Sequence, residues 1–348
     1  MRKLALGVLD QSPVPDGSSP PDALARTVEL AQACERLGYR RYWLAEHHNT
    51  TGLAGPAPEV MVATIASATS SIRVGAGGIM LPHYSPLKVA EIFHVLEALH
   101  PGRIDLGIGR APGGDPLSAA ALRVPTAHEE FPHQVQDLIG FLEDRLNPRH
   151  PFARVRAMPR TSGSPPVWLL GSSDYSAACA AVLGTSFSFA HFINPADGPA
   201  VVAEYRERFS PSPTLPQPRA NVGVSAICAE TSEEAIRLSS SIRLWRRRLQ
   251  LGDPGPIPSV EEALEELGPR ARERPDDPDR RVVVGPPDEV RTELVALADR
   301  YGVDELIVLT ICHDPAARLR SYELLADAFG LAAGEAAEAR ATASPTAG

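Results

Sequence analysis

Short apolar segments alternate with longer amphipathic stretches along most of the chain. The short segments have the length and residue types of buried strands, whereas the longer stretches repeat apolar residues every three or four positions, as helices do. The segments that predict strands are 4–9, 42–47, 72–81, 103–109, 166–170, 185–190, 221–229 and 305–312. Strands that alternate with helices favour a parallel sheet, and eight of them close a barrel. We therefore predict an α/β protein with the (β/α)₈, or TIM, barrel fold.

Two stretches interrupt this alternation. Residues 251–280 are rich in proline and charge, and we interpret them as an excursion on one barrel loop before the last helix–strand unit. Residues 332–348 consist mainly of small and polar residues, which is typical of a disordered tail. The sequence therefore predicts a single barrel domain over residues 1–331.

Composition and charge exclude several classes of protein. A chain of 348 residues with 43% hydrophobic residues can bury a large core. The net charge is −9, and the sequence contains no stripe of basic residues, which argues against a nucleic-acid partner. The apolar runs are too short for a membrane span, and Asp10 comes too early for a signal peptide. We expect a cytoplasmic protein without a membrane partner.

Polar residues follow the second predicted strand, in the sequence Glu46-His47-His48-Asn49. Because side chains alternate along a strand, we expect only one of the two histidines to face the barrel mouth. A histidine there could act as acid or base, since its unperturbed pKa is about 6.5; a purely structural role for both is the alternative. Adjacent histidines on a strand are a poor chelate and the HExxH spacing is absent, so we predict no metal site.

Three further segments offer candidate ligand contacts at strand ends. The glycines within residues 75–78 leave space for a flat ring, or for tight packing inside the barrel. The loop after the fourth strand lacks the GxGxxG spacing but carries Arg110, which suits a phosphate or a surface ion pair. The sequence Gly171-Ser172-Ser173-Asp174 begins a helix, where free amides form an anion site or a simple N-cap.

The strings YWLAEHHN, IRVGAGGIMLPHYSPLKVAE, LHPGRIDLGIGRAPGGD and VWLLGSSDYSA resemble the bacterial luciferase-like family of flavin monooxygenases. The resemblance covers nearly the whole chain, except for the excursion and the tail. It implies a barrel that binds reduced FMN, supplied by a separate flavin reductase, and uses O₂ to oxygenate a small organic substrate. It also implies a homodimer. Within the family, the chain looks most like oxidoreductases of natural-product pathways.

The resemblance also assigns roles to particular residues. His47 matches the catalytic histidine beside the flavin ring. The positions that match cofactor-binding residues are Gly77, Gly78, Arg110, Gly171, Ser172 and Ser173. Relatives carry a non-proline cis peptide at the two adjacent glycines of the third strand. The positions near the mouth that we expect to contact substrate are Gln11, Met80, His83 and Tyr84. Hydride transfer with a deazaflavin and a non-catalytic flavin-binding barrel remain as alternatives.

Overall fold

Eight parallel strands close a barrel in the computed structural model, which describes residues 4–122, 130–161, 163–253, 255–275 and 281–331. The described strands are β1 (Ala5–Asp10), β2 (Arg41–Leu44), β3 (Arg73–Met80), β4 (Ile104–Gly109), β5 (Val167–Gly171), β6 (Ser186–Ala190), β7 (Ala220–Cys228), β8 (Val282–Gly285), which lies outside the barrel, and β9 (Glu305–Leu309). Strands β1 to β7 pair in order, and β9 pairs with both β7 and β1 to complete the barrel. The predicted barrel fold is confirmed.

Helices follow the strands and cover the barrel. They are α1 (Pro20–Arg36), α2 (Pro58–Ala68), α3 (Pro86–Leu99), α4 (Pro116–Ala121), α5 (Phe131–Leu142), α6 (Asp174–Leu183), α7 (Gly198–Glu207), α8 (Ser232–Gln250), α9 (Val260–Leu267), α10 (Pro287–Tyr301) and α11 (Pro315–Phe329). Most begin with a proline in the first turn, where the missing N–H removes no helical hydrogen bond. Within the ranges given above, no helix is both long enough and apolar enough to cross a lipid bilayer.

The strands read as continuous apolar runs because both of their faces are buried. In β2, Tyr42 and Leu44 belong to the larger apolar cluster, which includes residues of the surrounding helices, whereas Trp43 belongs to a second cluster. The Trp43 ring packs edge to face against Trp168 of β5, with centroids 5.3 Å apart. Such burial on both sides is characteristic of parallel sheets covered by helices.

A buried ion pair fixes the carboxyl end of β1. Asp10 is fully buried, and its carboxylate accepts a hydrogen bond of 2.7 Å from Arg318 of α11. Burial is the largest single influence on the pKa of Asp10 and would raise it, but the charge of Arg318 and the hydrogen bonds from Arg318, Tyr42 and the Ser12 amide together lower it. Because an unpaired buried charge is costly, this pair holds β1 against α11 immediately before Gln11, where the chain enters the barrel mouth.

The region before the last strand differs from the prediction. No strand is predicted at β8, which pairs with Ser225–Cys228 of β7, and the predicted last helix–strand unit gives no bounds for its helix, which is α10. The strand was missed because its four apolar residues directly follow a run of charged residues. The helix had a detectable signal, since Val290, Leu294 and Leu297 repeat at helical spacing.

The predicted excursion contains a helix, α9, that packs against α8; residue 254 lies outside the described ranges. Arg248 of α8 forms an ion pair of 2.8 Å with Glu262 of α9. Ile257 is fully buried and bridges to Pro15 in the loop after β1. The excursion is therefore attached to the rim of the barrel. The remainder of the excursion, residues 276–280, and the predicted tail also lie outside the described residues.

Candidate active site

Two adjoining cavities lie where the strands end at the barrel mouth. We call the first the glycine cavity, because Gly77 and Gly78 line it; its volume is about 260 Å³. We call the second the α8 cavity, because Trp245 and other residues of α8 line it; its volume is about 500 Å³. The residues common to both walls are Gln11, His47, Phe192 and Ile193. Active sites of these barrels lie at this carboxyl-terminal face.

Most of the residues predicted for the site meet in the glycine cavity. They are Gln11, His47, Gly77, Gly78, Met80, Arg110, Gly171, Ser172 and Ser173. These residues are distant in sequence, but parallel strands bring their carboxyl ends to the same edge of the barrel. The structure thus assembles the histidine, the glycines, the arginine and the serine turn around one space.

Arg110 lies in this wall with no carboxylate partner among the residues of the ranges given above. Its guanidinium carbon sits 4.1 Å from the ring centroid of Tyr175, in the first turn of α6. Within the described part of the chain, no side-chain hydrogen bond or ion pair joins Arg110 to another residue. A surface ion pair therefore does not explain this arginine. An arginine held against an aromatic face keeps its N–H donors available for an anion.

The beginning of α6 faces the same cavity. Ser173 occupies the N-cap position, yet its side chain makes no capping hydrogen bond. The Asp174 carboxylate instead accepts a hydrogen bond of 2.8 Å from the Tyr175 amide. The Ser173 side chain therefore does not cap α6. Helix amides at an N-terminus, beside an arginine, suit a phosphate group.

The two adjacent glycines of β3 serve both packing and the cavity wall. The peptide between Gly77 and Gly78 is cis, as in the family that the sequence resembles. A Cβ atom on Gly78 would lie 2.6 Å from the carbonyl oxygen of Gly107. A Cβ atom on Gly77 would lie 2.9 Å from the Cβ atom of Trp43. Barrel packing alone therefore requires glycine here, while the same backbone stays open to the cavity.

His47 lines both cavities and has an unusual acid–base character. Burial, followed by the nearby charge of His48, lowers the pKa of His47 to about 4. The imidazole is therefore uncharged at neutral pH. Its buried Nδ1 atom has no hydrogen-bond partner among the residues that the structure describes. Such an atom is available to a ligand in the cavity.

Glu46 organises a hydrogen-bonded cluster behind this wall. Its fully buried carboxylate accepts hydrogen bonds from His48 Nε2 at 2.8 Å, from the Tyr84 hydroxyl at 3.0 Å and from a backbone amide. His83 Nε2 lies 2.7 Å from a backbone carbonyl oxygen. His83 and Tyr84, which were predicted to contact substrate, thus line neither cavity. The reason is the 3₁₀ turn Leu81–His83, which redirects the chain after β3.

The positions of His47 and His48 bear on how many histidines face the barrel mouth, and the cluster around Glu46 bears on metal binding. The expectation that only one histidine faces the mouth is wrong, because β2 ends at Leu44 and strand alternation does not extend to His48, which lines the α8 cavity. Ligand atoms of Glu46, His48 and His83 lie within 4.8 Å of one another, a composition that could hold a metal ion. Their side chains already make the hydrogen bonds described above. The absence of a metal stays a prediction.

The residues that α8 contributes to the α8 cavity are not among the predicted site residues. Helix α8 contributes Ile242, Trp245, Arg246 and Leu249 to its wall. Their spacing of i, i+3, i+4 and i+7 places them on one face of a helix, so the pattern was present in the sequence. What the sequence did not reveal is that this face turns toward the barrel mouth.

Two relatives and one solved structure match nearly the whole chain. The uncharacterised protein YwcH of Bacillus subtilis (strain 168) is 45% identical over 330 residues, covering 94% of this chain and 99% of YwcH. The N-acetyl-S-alkylcysteine monooxygenase of the same strain is 38% identical over 334 residues, covering 93% and 98%. The crystal structure of apo-MsnO8 is 43% identical, covers 95% and 98%, and gives a TM-score of 0.87.

More distant solved structures share the fold and differ in cofactor. The oxygenating constituent of 3,6-diketocamphane monooxygenase from Pseudomonas putida, in complex with FMN, is 20% identical, covers 94% of this chain and 97% of its own, and has a TM-score of 0.70. An F420-dependent secondary alcohol dehydrogenase is 13% identical, covers 94% and 99%, and has a TM-score of 0.67. At these identities the likeness shows the fold alone.

The family assignment follows from a match over most of the chain. The model of the luciferase-like monooxygenase family matches residues 4–305, which contain every strand of the barrel up to the start of β9. The whole-chain relatives agree with this match. The chain therefore belongs to the luciferase-like monooxygenase family.

Proposed function

We propose that this protein is an FMN-dependent monooxygenase that oxygenates a small organic substrate. The observation that carries the proposal is Arg110, which has no carboxylate partner among the described residues and lies beside the uncapped start of α6 in a cavity that His47 also lines. This arrangement suits a ligand with a phosphate at one end and a reactive ring at the other. Family membership supports the oxygenation.

Each part of the glycine cavity has a role in this proposal. Arg110 and the turn Gly171-Ser172-Ser173 would hold the phosphate of FMN, and the backbone of Gly77 and Gly78 would lie against the ring. Bound reduced FMN would supply the two electrons that activate O₂, so that one oxygen atom enters the substrate and the other leaves as water. His47 would accept or hold a proton beside the ring. The apolar walls would keep water out.

Substrate would enter from the side of the α8 cavity. Gln11 and Met80 line the glycine cavity, and Gln11 also lines the α8 cavity. We retain these two residues as proposed substrate contacts. A substrate in the α8 cavity would reach His47 directly, since His47 belongs to both walls.

A direct comparison of cofactors tests this function against the deazaflavin alternative. The F420-dependent dehydrogenase shares the fold, and F420 is a deazaflavin that transfers hydride. We expect anaerobic titration to show binding of reduced FMN with a dissociation constant at least ten-fold lower than that of reduced F420. With O₂ admitted, substrate should be consumed only with FMN. Tighter binding of F420, or no oxygenated product from any substrate tested, would contradict the proposal.

We also propose a homodimer formed through α2 and α3. Val60 of α2 and Val95 and Leu99 of α3 are large apolar side chains that face solvent. Exposed apolar residues on adjacent helices mark a surface for association. Light scattering of the native protein should give twice the chain mass of 37.2 kDa. Leu99→Glu should shift the measured mass toward 37.2 kDa, the mass of one chain. A native protein that scatters as one chain would contradict the dimer.

The supply of cofactor completes the proposal. We propose that reduced FMN reaches the glycine cavity from a separate flavin reductase in the cytoplasm, as the family resemblance implies. An assay that couples a flavin reductase and NADH to the purified protein should then support oxygenation. Equal activity with NADH and FMN alone, without reductase, would contradict a separate source of electrons.

A further inference from the structure

Gln11 lies where the glycine cavity and the α8 cavity meet, and it lines both of them. It directly follows β1, whose end is fixed by the ion pair between Asp10 and Arg318. Only 9% of Gln11 is exposed, yet its side-chain amide forms no hydrogen bond with any residue that the structure describes. Buried amides ordinarily have such partners. The Gln11 amide is therefore a polar group that a ligand in the barrel mouth can satisfy.

Most polar side chains of the α8 cavity are engaged within the protein. His48 Nε2 is bonded to the Glu46 carboxylate at 2.8 Å. The Asp115 carboxylate accepts hydrogen bonds from Asn49 Nδ2 at 2.6 Å and from two amides at the start of α4. The indole N–H of Trp245 donates to a backbone carbonyl oxygen at 2.9 Å. Thr50 and Arg246, which also line the cavity, likewise have partners within the protein.

The remaining polar side chain of the described wall is His47, at the same junction as Gln11. Its buried Nδ1 atom has no partner among the described residues, and its ring is uncharged at neutral pH. The apolar part of the wall consists of Leu53, Ile242, Trp245, Leu249, Leu309 and Ile311. Pockets of this kind hold apolar ligands and orient them through a few polar groups.

We propose that the α8 cavity binds an uncharged organic molecule with an apolar body, and that the Gln11 amide recognises a carbonyl or hydroxyl oxygen on it. The amide can donate to a carbonyl oxygen and can also accept from a hydroxyl group. The apolar body would lie along the wall formed by Ile242 and Trp245. The charged groups of the described wall already have partners, so a charged ligand would lose its hydration without forming a new ion pair.

This binding mode fixes the orientation of the molecule. The oxygen-bearing end would lie at the junction, next to His47, and the apolar end would point away from the glycine cavity. One consequence rests on the proposed function. With FMN in the glycine cavity, the oxygen-bearing end would be the one that is oxygenated, with one atom of O₂ entering the substrate and the other leaving as water.

The chain offers a matched control for Gln11. Gln11→Leu removes the amide and keeps a side chain of similar size. Gln136 is an exposed residue of α5 that lines neither cavity, so Gln136→Leu makes the same chemical change elsewhere. Circular dichroism and a thermal unfolding curve would verify that both variants fold like the native protein.

Calorimetric titration with acetophenone, 1-phenylethanol and ethylbenzene tests the inference without flavin or turnover. The three probes share an aromatic body and carry a carbonyl oxygen, a hydroxyl group or no oxygen. We expect Gln11→Leu to bind the two oxygenated probes about ten-fold more weakly than the native protein does, because their oxygen would be buried without a partner. Ethylbenzene should bind equally well to both proteins, and Gln136→Leu should bind all three probes as the native protein does.

A loss confined to one oxygenated probe would support the inference and identify the polar group. An equal loss for all three probes, or no loss for either oxygenated probe, would overturn it. Benzoate is the charged analogue of acetophenone, and it should bind the native protein at least ten-fold more weakly than acetophenone. Benzoate binding as tight as that of acetophenone would overturn the claim that the ligand is uncharged.

A crystal structure of the native protein with 4-bromoacetophenone tests the orientation without any variant. Anomalous scattering locates the bromine, which we expect among the apolar residues of the α8 cavity. The carbonyl oxygen should lie within hydrogen-bonding distance of the Gln11 amide. Bromine at the junction, with the carbonyl oxygen remote from Gln11, would overturn the inference.

Titration with reduced FMN separates this inference from the proposed function. A Gln11→Leu protein that loses affinity for FMN but binds the oxygenated probes as before would place Gln11 against the cofactor and overturn its role toward substrate. A native protein that shows the expected probe preferences but does not bind FMN would instead refute the proposed function alone.

Discussion

Replacing His47 with alanine should slow substrate oxygenation by roughly 100- to 10,000-fold, the usual contribution of a positioned acid or base. His47 lines both cavities, and its imidazole is uncharged at neutral pH. The variant would lose this base next to the reacting centre. The affinity for reduced FMN should change little, because the phosphate contacts lie at Arg110 and α6.

The measurement is the rate of product formation at saturating reduced FMN, together with an anaerobic FMN titration. A suitable control is His133→Ala, which removes an exposed histidine from α5. The control should retain native rates. Unchanged turnover in His47→Ala would remove the histidine from the mechanism, and a large loss of FMN affinity would make its role one of binding.

Replacing Arg110 with glutamine should weaken binding of reduced FMN by roughly 10- to 100-fold. A hydrogen bond to a charged group contributes about 1.5–3 kcal/mol, and about 1.4 kcal/mol corresponds to ten-fold in affinity. Riboflavin has the same ring but no phosphate. Its affinity should therefore be the same in the native protein and in Arg110→Gln.

The exposed residue Arg149 provides the control for this charge change. Arg149→Gln should bind both FMN and riboflavin as the native protein does. If Arg110→Gln loses affinity for riboflavin as well, the arginine supports the cavity wall and does not hold the phosphate. If it loses neither, the phosphate binds elsewhere.

The barrel could be predicted because burial on both faces leaves a simple signal in each strand. The continuous apolar runs around Tyr42 and Trp43 arise from two apolar clusters, one on each side of β2. Strand β8 could not be predicted, also for a physical reason. Strand β8 has only four residues and pairs with β7 alone, so neither length nor alternation revealed it.

The location of the site could be predicted because parallel strands must end together. His47, Arg110 and the turn at Ser172 follow different strands, yet they line one cavity. Their roles required the resemblance to a known family. Barrels commonly bind phosphate after their last strands, whereas Arg110 and α6 follow β4 and β5.

The contacts formed by loops could not be predicted from the sequence. His83 and Tyr84 follow β3 closely, but a 3₁₀ turn carries them toward Glu46 and away from the cavities. The wall residues of α8 show a helical pattern that is equally consistent with packing on the barrel. Only the three-dimensional arrangement shows that Arg246 reaches a cavity next to His47.

We propose that one pocket anchors an anionic group at Arg110 and places a flat ring between glycine backbone and His47. A crystal structure of the complex with FMN would show whether this arrangement forms. We expect the phosphate to contact the Arg110 guanidinium and the first amides of α6, with the ring against Gly77 and Gly78 and next to the His47 imidazole. A phosphate bound after β7 or β9, or a ring remote from His47, would refute this arrangement.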